Sequence, residues 1–186
     1  MSYISQSLTF EEDKIYYIQN GREKEVMMDW EDILMSASAV YVTQNGGDIL
    51  EIGFGMGISA GYIQSASISS HTIIENHPQI IPLAQAWALD KPNVIIVTGS
   101  WYENLDNLST YDGVFYDTFL DSNFKKFFDC LPQLIKTGGV ATWFNGFPTS
   151  KSLYEFEDIS YQEFEVNPPQ NSYFNHSKYY LPKKQF

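Results

Sequence analysis

The apolar positions change period along the chain, and those changes locate its elements. From Val26 onward, Met27, Trp30, Leu34, Ala37 and Tyr41 recur at steps of three and four, which predicts a helix, and Asn45-Gly46-Gly47 supplies its stop. Short apolar runs and amphipathic stretches then alternate. Asp48–Ile52, Thr72–Glu75, Asn93–Val97, Gly113–Tyr116 and Val140–Phe144 predict strands. Among them fall a short helix ending near Gln64, a helix over Pro78–Leu89 with proline near its start, and a helix over Asp121–Lys136. Tyr161–Val166 and Lys178–Leu181 read as two late strands without a helix between them, hence an antiparallel edge. Residues 1–25 are polar and mixed, and predict an irregular arm or lid with at most one short strand.

Strand–helix alternation of this kind predicts an α/β fold: a mostly parallel seven-stranded sheet with an antiparallel edge strand and helices on both faces. No internal repeat or linker interrupts it, so residues 1–186 are expected to form a single domain.

Composition narrows the classes of partner. The formal net charge of −12, without a stripe of Lys or Arg, opposes phosphate backbones, so no nucleic acid is expected as a partner. No apolar run approaches the length of a membrane span, and the first residues carry no basic-then-apolar leader pattern, so no membrane partner is expected either. Cys130 is the only cysteine, which suits a reducing, cytoplasmic setting. His71, His77 and His176 are too scattered for metal-ligand spacing, and no nucleophile–histidine set is evident.

The chemistry concentrates where the first strand of the alternation ends. Glu51-Ile52-Gly53-Phe54-Gly55-Met56-Gly57 joins that strand to the following helix, where glycines let the backbone turn tightly and approach a nucleotide. A dinucleotide fingerprint would need glycine at position 58, which is Ile58. The spacing is instead that of S-adenosylmethionine (SAM) methyltransferases. Glu75, at the end of His71-Thr72-Ile73-Ile74-Glu75, stands where an acidic group meets a nucleotide ribose.

Further segments resemble guanidinoacetate N-methyltransferase and the related arginine N-methyltransferases, class I enzymes with a Rossmann-like fold. These are Val26-Met27-Met28-Asp29-Trp30-Glu31, Ile52-Gly53-Phe54-Gly55-Met56, Ile73-Ile74-Glu75, Gly99-Ser100-Trp101 and Tyr116-Asp117-Thr118. Gly138-Gly139-Val140, Pro168-Pro169 and Tyr179-Tyr180 with Pro182 follow in the same order. The resemblance implies SAM as cofactor and S-adenosylhomocysteine (SAH) as product. It implies that Met27 and Met35 flank the methionine moiety, and that Glu51, Gly53, Phe54, Gly55, Met56, Gly57, Ile58 and Ser59 form the cofactor loop. Glu75 with Asn76 would hold the ribose, and Trp101 with Tyr102 would border the adenine. Glu31 and Asp117 would bind the acceptor's guanidino group, with the backbone N–H groups of Gly146 and Phe147 facing its carboxylate.

The short chain, the shortened segment after the fifth strand and the absence of an added substrate domain lead to the expectation of a small guanidino acceptor such as guanidinoacetate, and a homodimer is left open. The alternatives are another acceptor, including arginine in a protein, or a SAM/SAH-binding module without turnover. The chain departs from the family after the fifth strand, where a helical connection shrinks to Pro148–Ser160 and Pro148 removes one N–H. Its N-terminal arm also lacks an aromatic-rich lid, with Phe10, Tyr16 and Tyr17 as substitutes.

The chemistry explains the need for carboxylates. A guanidinium offers no lone pair to an electrophilic methyl group, and its pKa lies above ~12. Deprotonating it at neutral pH would cost roughly 7–8 kcal/mol. A carboxylate that takes the proton as the new bond forms lowers that cost, and one that matches the guanidinium fork fixes which nitrogen is presented. Asp117, at a strand end beside the cofactor crevice, is expected to accept the proton, with Glu31 orienting; the reverse assignment stays open.

Overall fold

The computed structural model describes residues 2–151, 156–169 and 172–186. Its first departure from expectation comes before the nucleotide loop. Strands β1 (Thr9–Phe10), β2 (Lys14–Gln19) and β3 (Arg22–Met28) form a three-stranded antiparallel sheet. The hairpin between β2 and β3 turns on Asn20-Gly21, both at positive φ (52° and 72°), the pair a two-residue primed turn requires. Ile15 and Tyr17 alternate inward from β2 and are buried. The arm is therefore an ordered sheet, and the helix expected from Val26 begins later. Val26, Met27 and Met28 are strand, Asp29–Glu31 make one 3-10 turn, and α1 runs over Asp32–Val42.

The alternation that follows is the expected one. In chain order it comprises β4 (Asp48–Ile52), α2 (Ile58–Gln64), β5 (Ser70–Glu75), α3 (Ile81–Ala88) and β6 (Val94–Thr98). Then come α4 (Trp101–Asn104), β7 (Tyr111–Tyr116), α5 (Phe124–Leu134), β8 (Ile135–Trp143), β9 (Ser160–Glu165) and β10 (Lys178–Gln185). The sheet order is β6-β5-β4-β7-β8-β10-β9. β4 to β8 pair in parallel, whereas β10 runs antiparallel to both β8 and β9. The predicted helix over Asp121–Lys136 is shorter at both ends. Asp121 caps the turn before α5 by accepting the Asn123 N–H (2.7 Å), and Ile135 and Lys136 already belong to β8. Part of the short connection after β8, residues 152–155, lies outside the described residues.

Neighbouring residues on the central strands enter opposite cores, as the strand period of two demands. Ile49 and Phe115 pack with Leu34, Met35 and Ala39 of α1, while Leu50, Val114 and Tyr116 pack with Phe127 and Leu131 of α5. A third cluster joins Ile15 and Tyr17 of the N-terminal sheet to Phe54, Ile73 and Ile80, so that sheet is docked beside the ends of β4 and β5. Among the described residues no helix is long and apolar enough to cross a membrane.

Candidate functional site

A cavity opens at the C-terminal ends of β4, β5 and β7, where an open α/β sheet places its ligands. Backbone bonds hold the strand ends together there: Gly53 N–H donates to Ile74 O and Asp117 N–H to Ile52 O, both at 2.9 Å. Gly53 has φ 96°, and a β-carbon on it would run into the carbonyl oxygen of Asp117. Gly55 has φ 54°, and a β-carbon there would stand 2.5 Å from Met27 Sδ. Both positions therefore require glycine. The result is a bare stretch of backbone along the cavity wall, the cradle a nucleoside needs.

Glu75 is tied into this wall. Its Oε2 accepts the Phe54 N–H (3.0 Å), and its Oε1 accepts the N–H groups of Asn76 (2.8 Å) and His77 (2.7 Å). A carboxylate has about four acceptor sites, so three backbone donors leave about one. Glu75 can thus receive one ribose hydroxyl strongly rather than two, with Asn76 lining the cavity beside it.

Glu51 sits outside the cavity and is fully buried. It accepts the hydroxyl of Ser59 at the start of α2 and stands 2.9 Å from His71 Nε2, whose Nδ1 meets the Gln64 amide at 3.3 Å. It therefore shapes the loop through Ser59, which does line the cavity. Met27 also lines it, and its sulfur accepts the Met56 N–H at 3.2 Å. Met35, placed by the resemblance beside the cofactor, instead lies in the core beneath α1, and Met56, Gly57 and Ile58 stand behind the wall.

On the opposite wall Trp101 is buried, with Tyr102 perpendicular to it at 5.6 Å and more exposed. Trp101 is held by a residue the sequence reading missed. Asp121 Oδ2 accepts both the Trp101 Nε1–H and the Tyr116 hydroxyl, each at 2.7 Å. Also missed was the extreme N-terminal segment, where Tyr3 lines the cavity and packs on His77 (4.8 Å between centroids) and Phe119 (5.0 Å). Leu8 N–H donates to Gln79 Oε1 at 2.7 Å and pins that segment. Apart from Phe10, Tyr16 and Tyr17, no aromatic stood out in the arm, and a lone Tyr3 carries no periodic signal.

Glu31 and Asp117 meet in the same cavity. Glu31 is 2% exposed, and its Oε1 accepts the Met28 N–H at 2.9 Å. Burial, and next the charge of Asp117, push the Glu31 carboxyl up to about 8. Burial, and next the charge of Glu51, push Asp117 up to about 7, although part of the Asp117 residue opens to the cavity. Two carboxylates in one desolvated site disfavour each other's ionisation unless a cation joins them.

The expected acceptor-carboxylate donors are not in this wall. Gly146 and Phe147 lie outside the cavity lining, and the Phe147 N–H already donates to Asn145 Oδ1 at 3.3 Å. Asn145 is itself fixed from β10, its N–H donating to the Tyr179 hydroxyl (2.7 Å) and its amide to Tyr180 O (3.0 Å).

Residues 11–148 match the guanidinoacetate N-methyltransferase family. The chain belongs to that family. Its members are class I SAM-dependent methyltransferases, and the loop, Glu75 and the Trp101 wall fit SAM as the cofactor. Two curated relatives carry the name protein arginine N-methyltransferase 2. That of Yarrowia lipolytica is 33% identical over 90% of this chain and 39% of its own length. That of Saccharomyces cerevisiae is 30% identical over 99% of this chain and 52% of its own. The chain thus spans about half or less of these relatives. Spermidine synthase from Thermotoga maritima superimposes with a TM-score of 0.66 at 11% identity, covering 96% of this chain and 72% of that one, and shares the fold alone.

Proposed function

We propose that this domain transfers a methyl group from SAM to a nitrogen of a guanidino group. The observation that carries the reading is the pairing of Glu31 and Asp117: two desolvated carboxylates in the cavity that the glycine loop and Glu75 also line. Gly53, Phe54, Gly55, Glu75 and Trp101 would hold SAM, which supplies an electrophilic methyl on its sulfonium. Glu31 and Asp117 together attract a guanidinium and, by bidentate hydrogen bonding, orient one nitrogen toward the loop. Asp117, at the end of β7, then receives the proton that this nitrogen loses at a carboxylate oxygen. Its raised pKa brings it closer to the proton it must take.

Arginine within a polypeptide is the favoured acceptor. A peptidyl arginine presents a guanidinium without its own carboxylate, and the Phe147 N–H that would have met such a carboxylate is already engaged by Asn145. The curated relatives point the same way through their names. A small guanidino acid such as guanidinoacetate is the second reading, supported by the description of the family that matches residues 11–148. Transfer of labelled methyl to guanidinoacetate, free arginine and an arginine-containing peptide, measured side by side, tests both. Peptide labelling alone supports the first reading and small-molecule labelling alone the second. SAH binding with no transfer to any of the three would defeat the guanidino assignment.

A further inference from the structure

The turn from β7 into α5 holds a residue in a costly conformation. Leu120 has φ 51°, a left-handed backbone that a bulky side chain rarely adopts, and it lies largely exposed along the cavity. The next residue, Asp121, reaches back to Tyr116 at the end of β7 and across to Trp101 at the start of α4. Its Oδ2 accepts the Tyr116 O–H and the Trp101 Nε1–H, each at 2.7 Å, and its Oδ1 accepts the Asn123 N–H, also at 2.7 Å. The two rings joined in this way are buried, Trp101 to 2% exposure and Tyr116 to 7%. Tyr116 stacks on Phe127 at 4.2 Å, and Trp101 meets the same ring edge-on at 5.3 Å. Apolar packing fills the space around an indole but does not specify where its N–H edge points. A hydrogen bond does, because the indole carries a single donor, and burying that donor unpaired is costly.

We infer that Asp121 is a positioning residue for the cofactor, acting through Trp101. The inference rests on the reading above, in which Trp101 holds SAM. A single oxygen of Asp121 receives one donor from the cofactor wall and one from Tyr116, the neighbour of Asp117. The face that Trp101 offers to the cofactor is thereby set relative to the strand that Asp117 follows. The Asn123 N–H holds the other oxygen, so the carboxylate is fixed from three sides before any ligand arrives. A wall ordered in advance spares binding the cost of ordering it, and that saving appears as affinity. A residue that only capped the turn into α5 would use Oδ1 alone. The contacts of Oδ2 are the ones that lead to the cavity, which Asp121 and Trp101 both line.

Asp121→Ala removes all three contacts. The Kd for SAH by calorimetry should rise roughly tenfold or more, as for a lost hydrogen bond to a charged group. With the acceptor that the wild type methylates, KM for SAM should rise alongside it, while kcat at saturating SAM stays within about threefold. In a Trp101→Phe background, which keeps a ring but has no N–H, the same change should cost less than about twofold, because the two residues act as one unit. An Asp121→Ala protein that melts lower yet binds SAH like the wild type makes Asp121 a cap of α5 only and overturns the inference. An undiminished loss in the Trp101→Phe background also overturns it. Asp121→Asn keeps the size and one acceptor oxygen, and decides the matter if Asp121→Ala does not fold. In nitrogen NMR of the ligand-free protein the Trp101 indole signal should move, and the Kd for SAH should rise about threefold or more. An unmoved signal or a wild-type Kd overturns the inference. Trp101→Leu judges the underlying reading separately, since wild-type SAH affinity in that variant removes Trp101 from the cofactor wall. Weak binding there beside wild-type binding in the Asp121 variants defeats the inference alone.

Discussion

The Phe54 N–H donates to Glu75 Oε2 at 3.0 Å, which ties the glycine loop after β4 to the tip of β5. One carboxylate therefore shapes the cavity wall, and the proposed SAM site sets it against the cofactor. Glu75→Gln would turn an amide NH2 toward backbone donors that need an acceptor. SAH affinity measured by calorimetry should drop roughly tenfold to a hundredfold, the range for a hydrogen bond to a charged group. An affinity within twofold of the wild type would remove Glu75 from the cofactor site.

Gly55→Val should abolish SAH binding. The branched side chain meets Met27 Sδ and forces a β-branched residue to positive φ. Thermal unfolding without ligand is the control, since the strain also lowers stability. Retention of SAH-induced stabilisation in this variant would refute the loop assignment.

Asp117→Asn keeps the side chain's size and removes the proton acceptor. Turnover should fall by about two to four orders of magnitude, the range for loss of a general base. SAH affinity should hardly change, because the proposed cofactor wall is built from Gly53, Glu75 and Trp101. Near-normal turnover would assign Asp117 a structural role only.

The carboxylate pair also sets a pH dependence of stability. Glu31 and Asp117 are both raised in the folded state, to about 8 and about 7, above the unfolded carboxylate range near ~4. The native state thus binds more protons than the unfolded state in that window. Their favourable contribution is complete below pH ~4 and is lost as pH rises through about 7 and 8. Glu31→Gln should therefore make the ligand-free protein more stable than wild type at pH ~9, while lowering turnover. Thermal melts of both proteins at pH ~6 and ~9 check this; a Glu31→Gln variant that melts lower at both values contradicts it.

What the sequence determined by itself was local in origin. Period-two and period-3.6 runs, punctuated by glycine and proline, marked the strands, the sheet class and the nucleotide loop, because each depends on residues a few positions apart. The β2–β3 hairpin was also legible, in Asn20-Gly21 between alternating residues that include Ile15 and Tyr17. The helical spacing from Met27 onward masked it, since Met27 serves the end of a strand while Leu34 serves a helix. Asp121 gripping Trp101, and Glu31 sharing one cavity with Asp117, were decided only by the tertiary structure. Each joins side chains from elements far apart in the chain, and the order of strands across the sheet and the docking of the N-terminal sheet determine which of them meet. Burial, likewise a property of the whole fold, then changes what they do. An exposed glutamate would be an ordinary surface acid, whereas Glu31, desolvated beside Asp117, becomes a group that needs a cation.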